Sequence, residues 1–335
     1  MSGRQLNILV ASDSFKGTFS SREIATLVAD TLIQHHVTAI TISDGGEGFC
    51  DAAYDALGGE LVSIRVHDPL MRLVHAHYLI SDNDTAIIEM AQSSGLLLLQ
   101  EEERNPWITT TFGVGEMIYD ALRHGCSTIV VGLGGSATND CGRGMIEYLI
   151  SHTDLFNNHF GISAKLIIAS DVCNPLCGKN GAAYTFARQK GADDEMIELL
   201  DRRNLKYGQY LEQLTGKSLI DRQGAGAAGG LGAALLAIAD TEMCSGIELI
   251  LKWQKFDTLL DNIDLVITGE GCLDRQTLMG KAPYIIAKKA NARNIPCIAL
   301  CGRCDLTTEE LIASPFTKAL LLKDLQNGNF GTLPD

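Results

Sequence analysis

One pattern recurs along this sequence and constrains its fold more than any other. A short apolar run leads into a turn of glycine and small polar residues, and a helical pattern follows. Ile8-Leu9-Val10 runs into Ala11-Ser12-Asp13-Ser14-Phe15-Lys16-Gly17 and then an amphipathic stretch from Ser20 to Gln34. Ala39 to Ile42 runs into Ser43-Asp44-Gly45-Gly46-Glu47-Gly48 and then Phe49 to Leu57. Thr128 to Val131 runs into the turn Gly132 to Asp140. Leu265 to Thr268 runs into Gly269-Glu270-Gly271, and a helix resumes near Ala282 to Ala290. Pro296 to Leu300 and Lys318 to Leu322 read as further strands. Strands alternating with helices specify an α/β fold with a parallel sheet covered on both faces. Ligands of such sheets lie outside the carboxyl ends of the strands, where all of these turns fall.

One region breaks the alternation. Leu61 to Val66 and Leu73 to Leu79 read as two strands joined by Asp68-Pro69-Leu70-Met71-Arg72, a hairpin, and Thr85 to Met90 reads as a third. The expectation is a mixed α/β domain over residues 61–250, inserted between the halves of a first domain made of 1–60 plus 251–335. A length of 335 residues suits two domains of roughly 100–200 each. The strand and turn at Thr128 to Asp140 fit either domain. No solenoid repeat or low-complexity tract is present.

Composition narrows the partners. Hydrophobic residues at 46% are enough to bury a sizeable core. A formal net charge of −14 repels polyanions, so nucleic acid and anionic membrane are poor partners. A small anionic ligand is not excluded, because oriented backbone dipoles act locally. No segment has the ~20 apolar residues of a membrane helix. Met1 to Leu6 is polar and leads straight into a strand, so no secretory leader is expected. The 10 cysteines lack a disulfide-framework layout and suit a reducing, cytoplasmic setting. Cys301 and Cys304 form a C-x-x-C pair without the second pair or the histidines that a zinc site needs. A homo-oligomer is compatible with the sequence.

The turns carry the chemistry. In Gly132 to Asp140, glycines permit close backbone approach, Ser136 and Thr138 add hydroxyls, and a following helix would aim its positive end at an anion. The turn does not satisfy G-x-x-x-x-G-K-[ST], so it is not a Walker A loop. Asp13, Ser14 and Lys16 set a carboxylate, a hydroxyl and an ammonium at one strand end. That set suits phosphoryl transfer, with the lysine neutralising developing charge. Asp44 and Glu47 are acids that could hold Mg²⁺ or accept a hydrogen bond from a hydroxyl. Glu270 and Asp274 are metal or base candidates, and Lys281 could reach a phosphate. Asp171 follows the strand Leu166 to Ser170. Gly224 to Gly232 reads equally as a nucleotide loop or a tight helix contact, and Thr109-Thr110-Thr111 as a hydroxyl-rich helix start. His75 and His77 alternate along a strand rather than at a ligand spacing. No G-x-S-x-G elbow supports a hydrolase, and the first turn lacks the G-x-G-x-x-G of a nicotinamide dehydrogenase.

Taken in order, Asp13-Ser14-Phe15-Lys16-Gly17, Asp44-Gly45-Gly46-Glu47-Gly48, Gly134-Gly135-Ser136-Ala137-Thr138-Asn139-Asp140, Asn174-Pro175-Leu176, Gln189-Lys190-Gly191-Ala192, Gly224 to Gly232 and Gly269-Glu270-Gly271 resemble the signature set of the type I glycerate kinases. The match runs from about Ile8 to about Gly302. The resemblance implies ATP-dependent, Mg²⁺-dependent phosphorylation of D-glycerate, usually giving 2-phosphoglycerate. It also implies a Rossmann-like domain plus a second α/β domain, with the site in the cleft between them. Under it, Lys16, Asp44 and Asp274 are the catalytic candidates. Asp13, Ser14, Gly134, Gly135, Ser136, Thr138, Asn139 and Lys281 would bind nucleotide or phosphate. Arg65, Arg72 or Lys190 would pair with the substrate carboxylate, an arginine doing so bidentately. Asp171 and Glu270 would hold the metal.

The chain departs from the family pattern in places. Cys141 stands where a glycine usually follows Asn-Asp, Ala187-Arg188 where Gly-Pro precedes Gln-Lys-Gly-Ala, and Cys272 where an arginine follows Gly-Glu-Gly. The segment between Ile150 and Ala164 is shorter by a few dozen residues. The substituted Cys141 and Cys272 motivate an alternative: a catalytically weak relative that binds a nucleotide or sugar acid as a sensor. A kinase for a different small hydroxy acid is a further alternative.

Overall fold

The computed structural model describes residues 4–15, 18–82, 84–152 and 161–326. The described strands, in chain order, are β1 (Asn7–Ser12), β2 (His36–Ala39), β3 (Glu60–His67), β4 (Leu73–Ser81), β5 (Thr85–Glu89), β6 (Thr128–Gly132), β7 (Lys165–Ala169), β8 (Thr241–Cys244), β9 (Leu265–Leu273), β10 (Cys297–Cys304) and β11 (Lys318–Leu321). The fold is mixed α/β. Two compact units emerge: the first draws on Met1–Asp44, Asp51–Leu57 and Ile247–Asp335, the second on Gly45–Cys50 and Gly58–Gly246.

The first unit holds a five-stranded sheet in the order β11-β10-β9-β1-β2, with every pairing parallel. Its inner strands are continuous apolar runs, as strands covered on both faces must be. Ile8, Leu9 and Val10 are fully buried, as are Ile298, Ala299 and Leu300. The Ser21–Thr31 helix starts on a capping box. Ser20 Oγ accepts from the Glu23 amide, and the Glu23 carboxylate accepts from the Ser20 amide. Ile24 and Val28 of that helix close the core against Ile8 and Val10. From β1, the chain order runs outward to β2 on one side, while β9 lies on the other. The crevice between β1 and β9 is therefore the topological switch point, where open α/β sheets bind ligands.

The second unit holds a six-stranded sheet in the order β3-β4-β5-β6-β7-β8. Its first two pairings are antiparallel and its last three parallel. The β3–β4 hairpin turns on Asp68, which accepts from the Leu70 and Arg72 amides and from the Arg72 guanidinium. The core gathers Ile88, Ile129, Val131, Leu166 and Ile168 from the sheet with Met117, Met145 and Leu235 from helices. The strand and turn at Thr128 to Asp140 belong to this unit.

Some expectations shift. β2 occupies His36–Ala39 rather than residues 39–42, because the register aligns Asn7 with His36 and Val10 with Ala39. β9 runs on to Leu273 through the expected Gly269-Glu270-Gly271 turn, because β10 continues beside it and pairs Cys301 with Glu270 and Arg303 with Cys272. The 22-residue helix Asp194–Thr215, capped by Asp193, was not singled out by the sequence pattern. No helix among the described residues is long and apolar enough to cross a membrane.

Candidate active site

In the first unit, the strand tips enclose a hollow of about 430 Å³. Asp13, Ser14 and Phe15 come from the end of β1 and Asp44 from beyond β2. Glu270, Cys272 and Asp274 come from the end of β9, Gly302 from β10, and Lys281 from the start of the Ala282–Asn291 helix. The close packing of the strands explains one glycine. A Cβ on Gly269 would lie 2.2 Å from the Leu300 carbonyl oxygen.

The acids are held rather than loose. Glu270 accepts the Thr277 hydroxyl at 2.5 Å, and Lys281 Nζ lies 3.3 Å from Glu270 and 3.8 Å from Asp274. Asp274 Oδ1 accepts from the Gln276 and Thr277 amides, while the Asp274 amide donates to the Thr277 hydroxyl. Thr277 is thus a positioning residue that the sequence pattern did not flag; its hydroxyl spacing from Asp274 was the available signal. Asp13 Oδ1 accepts from the Ser14 amide at 2.8 Å. Lys16 lies outside the described residues.

The donor set suits a magnesium ion. Mg²⁺ takes hard oxygen ligands, keeps several waters, and usually draws on one or two carboxylates plus substrate phosphates. Asp13, Asp44, Glu270 and Asp274 supply carboxylates, and no group of three or more His, Cys, Asp or Glu among the described residues forms an all-protein cage. Asp171 belongs to the second unit, exposed at the end of β7, whereas Glu270 belongs to the first.

The second unit carries the turn Gly134 to Asp140. Much of its polar capacity is spent internally. The Gly134 amide donates to the Gly45 carbonyl, the Ala137 amide to the Ser94 carbonyl, and the Thr138 amide to Ser136 Oγ. Gly134 is required because a Cβ there would lie 2.4 Å from Gly46 Cα. At the positive end of the Arg143–His152 helix, a side chain of the protein itself supplies an anion. The Asp140 carboxylate already accepts from the Gly142 and Gly144 amides. Thr111 does not cap its own helix; it donates to Asp140 Oδ2 and accepts from the Met145 amide. Asn139 is fully buried, and neither atom of its side-chain amide has a hydrogen-bond partner among the described residues.

Lys190 is buried beneath this turn. Its Nζ donates to the Thr138 carbonyl at 2.6 Å and to Ser136 Oγ at 3.2 Å. Burial pushes its pKa down to about 7, against a smaller upward pull from Asp140. Of the three cations expected to meet a carboxylate, Lys190 is therefore engaged internally. Arg72 is engaged too, with Asp68, Glu103 and the Leu98 carbonyl. Arg65 lines a separate groove of about 380 Å³ with Glu116, Asp120 and Arg123. The Gly224 to Gly232 stretch is a packing contact: a Cβ on Gly229 would lie 2.0 Å from the Thr138 carbonyl oxygen. Arg203, also unflagged, stacks 4.5 Å over Trp107 and donates to the Asn139 carbonyl.

Comparison with known proteins decides the family. The sequence profile of the Glycerate kinase family matches residues 8–157 and 150–327. The chain belongs to the glycerate kinase family. It is 39% identical to a glycerate kinase of Bacillus cereus, the alignment covering 89% of this chain and 85% of that one. It is 36% identical to the glycerate 2-kinase of Escherichia coli K12, covering 89% and 85%. A crystal structure of a Salmonella typhimurium LT2 protein assigned as glycerate kinase 2 superposes with a TM-score of 0.75 at 34% identity, covering 97% of this chain and 95% of that one. This glycerate kinase family member is therefore a phosphotransferase with ATP as its co-substrate. Its Cys141, where the resemblance expects glycine, takes the left-handed backbone that glycine favours, with φ +56°, and buries its thiol in the core. That departure is absorbed by packing within the second unit.

Proposed function

We propose that this chain transfers the γ-phosphoryl group of ATP to the 2-hydroxyl of D-glycerate, giving 2-phosphoglycerate and ADP, with Mg²⁺. The observation that supports this reading is the acid-lined hollow at the β1–β9 switch point of a glycerate kinase family member. The bond formed joins the glycerate hydroxyl oxygen to phosphorus. The bond broken joins phosphorus to the bridging oxygen of ADP. The hydroxyl proton passes to a carboxylate, Asp274 or Asp44, each of which lines the hollow. Glu270, fixed by Thr277 and Lys281, and Asp13 are the residues that would hold a magnesium ion. When bound, that ion spreads the charge of the phosphates. Lys16 would neutralise charge on the transferred group. Within the second unit taken by itself, the Ser136 hydroxyl and the Asn139 amide, which has no hydrogen-bond partner among the described residues, are offered as binding candidates. Buried amides without partners are rare and call for a complementary group.

The test is to incubate the protein with D-glycerate and Mg-ATP and identify the product by phosphorus NMR. A 2-phosphoglycerate resonance with stoichiometric ADP is expected. A 3-phosphoglycerate resonance would move the reaction to the other hydroxyl. Tight nucleotide binding without ADP release would replace the kinase reading with a sensor.

A further inference from the structure

The hollow in the first unit is rich in acids. Among the described residues, its lining offers four carboxylates, Asp13, Asp44, Glu270 and Asp274, and one ammonium, Lys281, already drawn to Glu270 and Asp274. Both substrates of the proposed reaction are anions. A glycerate carboxylate or an ATP phosphate entering this hollow gains from a further cation, beside Lys281 and the proposed Lys16, whose existing partners are easily given up.

The continuation of β9 beside β10 supplies one. Their parallel register sets Arg303 directly against Cys272. The Arg303 guanidinium lies 3.5 Å from Cys272 Sγ, and Cys272 and Gly302 both line the hollow. Burial raises the Cys272 thiol above its ordinary value despite the guanidinium beside it, so the sulfur carries no countercharge. Among the described residues, the one ion pair formed by Arg303 is with Asp305 at 2.8 Å, where the two side chains are 72% and 47% exposed. Exposed pairs of this kind are weak and exchange readily for a better partner. Next to it, Gly302 leaves the lip open, and a Cβ there would lie 2.9 Å from the Gly271 carbonyl oxygen.

We infer that Arg303 is an anion-binding residue at the lip of the hollow, taking a substrate carboxylate or phosphate on its planar guanidinium. It reaches from the neighbouring strand to the position where the resemblance expects an arginine and this chain has Cys272. This inference rests on the proposed substrates, and a guanidinium fork matches either oxyanion bidentately.

Steady-state kinetics of Arg303→Gln test it. Loss of a charge-assisted hydrogen bond is expected to raise one KM by roughly 10- to 100-fold, with kcat within about threefold of wild type and an unchanged melting temperature. A raised KM for D-glycerate identifies the carboxylate as the bound group, and a raised KM for ATP identifies a phosphate. Adding Cys272→Arg to Arg303→Gln is expected to bring the KM back. A KM that stays high overturns the sharing of one role by positions 272 and 303. Both KM values within twofold of wild type overturn the inference itself. A wild-type protein that turns over no glycerate sinks the proposed function instead. Calorimetric affinities for ATP and D-glycerate then decide Arg303, and affinities equal in wild type and variant, or undetectable in both, overturn it.

Discussion

Lys190 shows what one buried side chain can report. Its folded pKa is about 7 against an ordinary 10.5. Between those values the unfolded chain binds more protons than the folded one, so this residue makes stability rise with pH over that window. Below pH 7 both states are charged and the burial penalty is present in full. Lys190→Met is therefore expected to flatten the rise in urea midpoint between pH 7 and pH 10 relative to wild type. Identical pH profiles for the two proteins would show that Lys190 does not titrate in that range. Asp274 carries a different prediction. Asn at this position keeps the Oδ1 acceptor for the Gln276 and Thr277 amides, so the local turn survives. If the carboxylate takes the hydroxyl proton, Asp274→Asn lowers kcat by about 10²–10⁴. Unchanged turnover transfers that role to Asp44. The sequence pattern named Asp274 because acids beyond an apolar strand gather at its tip. It did not name Thr277, although its spacing from Asp274 was there to read, or Arg303, whose significance depends on the neighbouring strand rather than on sequence spacing.

At the scale of elements, local rules were legible where local forces decide. The Phe49–Leu57 helix, the β3–β4 hairpin and the strand at Thr128 all follow from period and turn chemistry. The failures lie where pairing overrides the local signal. Gly269-Glu270-Gly271 reads as a turn, yet β10 offers a ladder that holds it extended. Polar turns were also read as open to ligands when part of their capacity is spent within the protein. Asp140 fills the helix start that an external anion was expected to occupy. The packing of Gly134 on Gly46 gives a sharp test. Gly134→Ala places a methyl 2.4 Å from Gly46 Cα, and overpacking of that order costs about 1–3 kcal/mol. Denaturant midpoints of the two proteins measure it, and equal midpoints would show that the turn can move aside.

At the scale of the molecule, the first unit is built from both ends of the chain, and its central β9 comes from the second. A chain ending at Gly246 keeps β1 and β2 but loses β9, β10 and β11. Ile8 and Val10 would then lose their cover. Such a chain is expected to show rapid proteolysis of residues 4–44 while protection persists in 58–246. Equal protection of both regions would mean that β1 and β2 hold without their partners. The two-unit organisation was legible because a hairpin region interrupted the strand–helix alternation, but the exact seams were not, since no change of composition marks them.

The register of β1 against β9 joins Ile8 to Leu265. A ribosome adding about 5–20 residues per second needs about 13–50 s to cover that stretch. For all that time the apolar N-terminal strand has been synthesised and its chief neighbour has not. The nascent chain must carry an unsheltered sticky segment through most of its own translation, and the rate at which late codons are read bears on how much of it escapes aggregation.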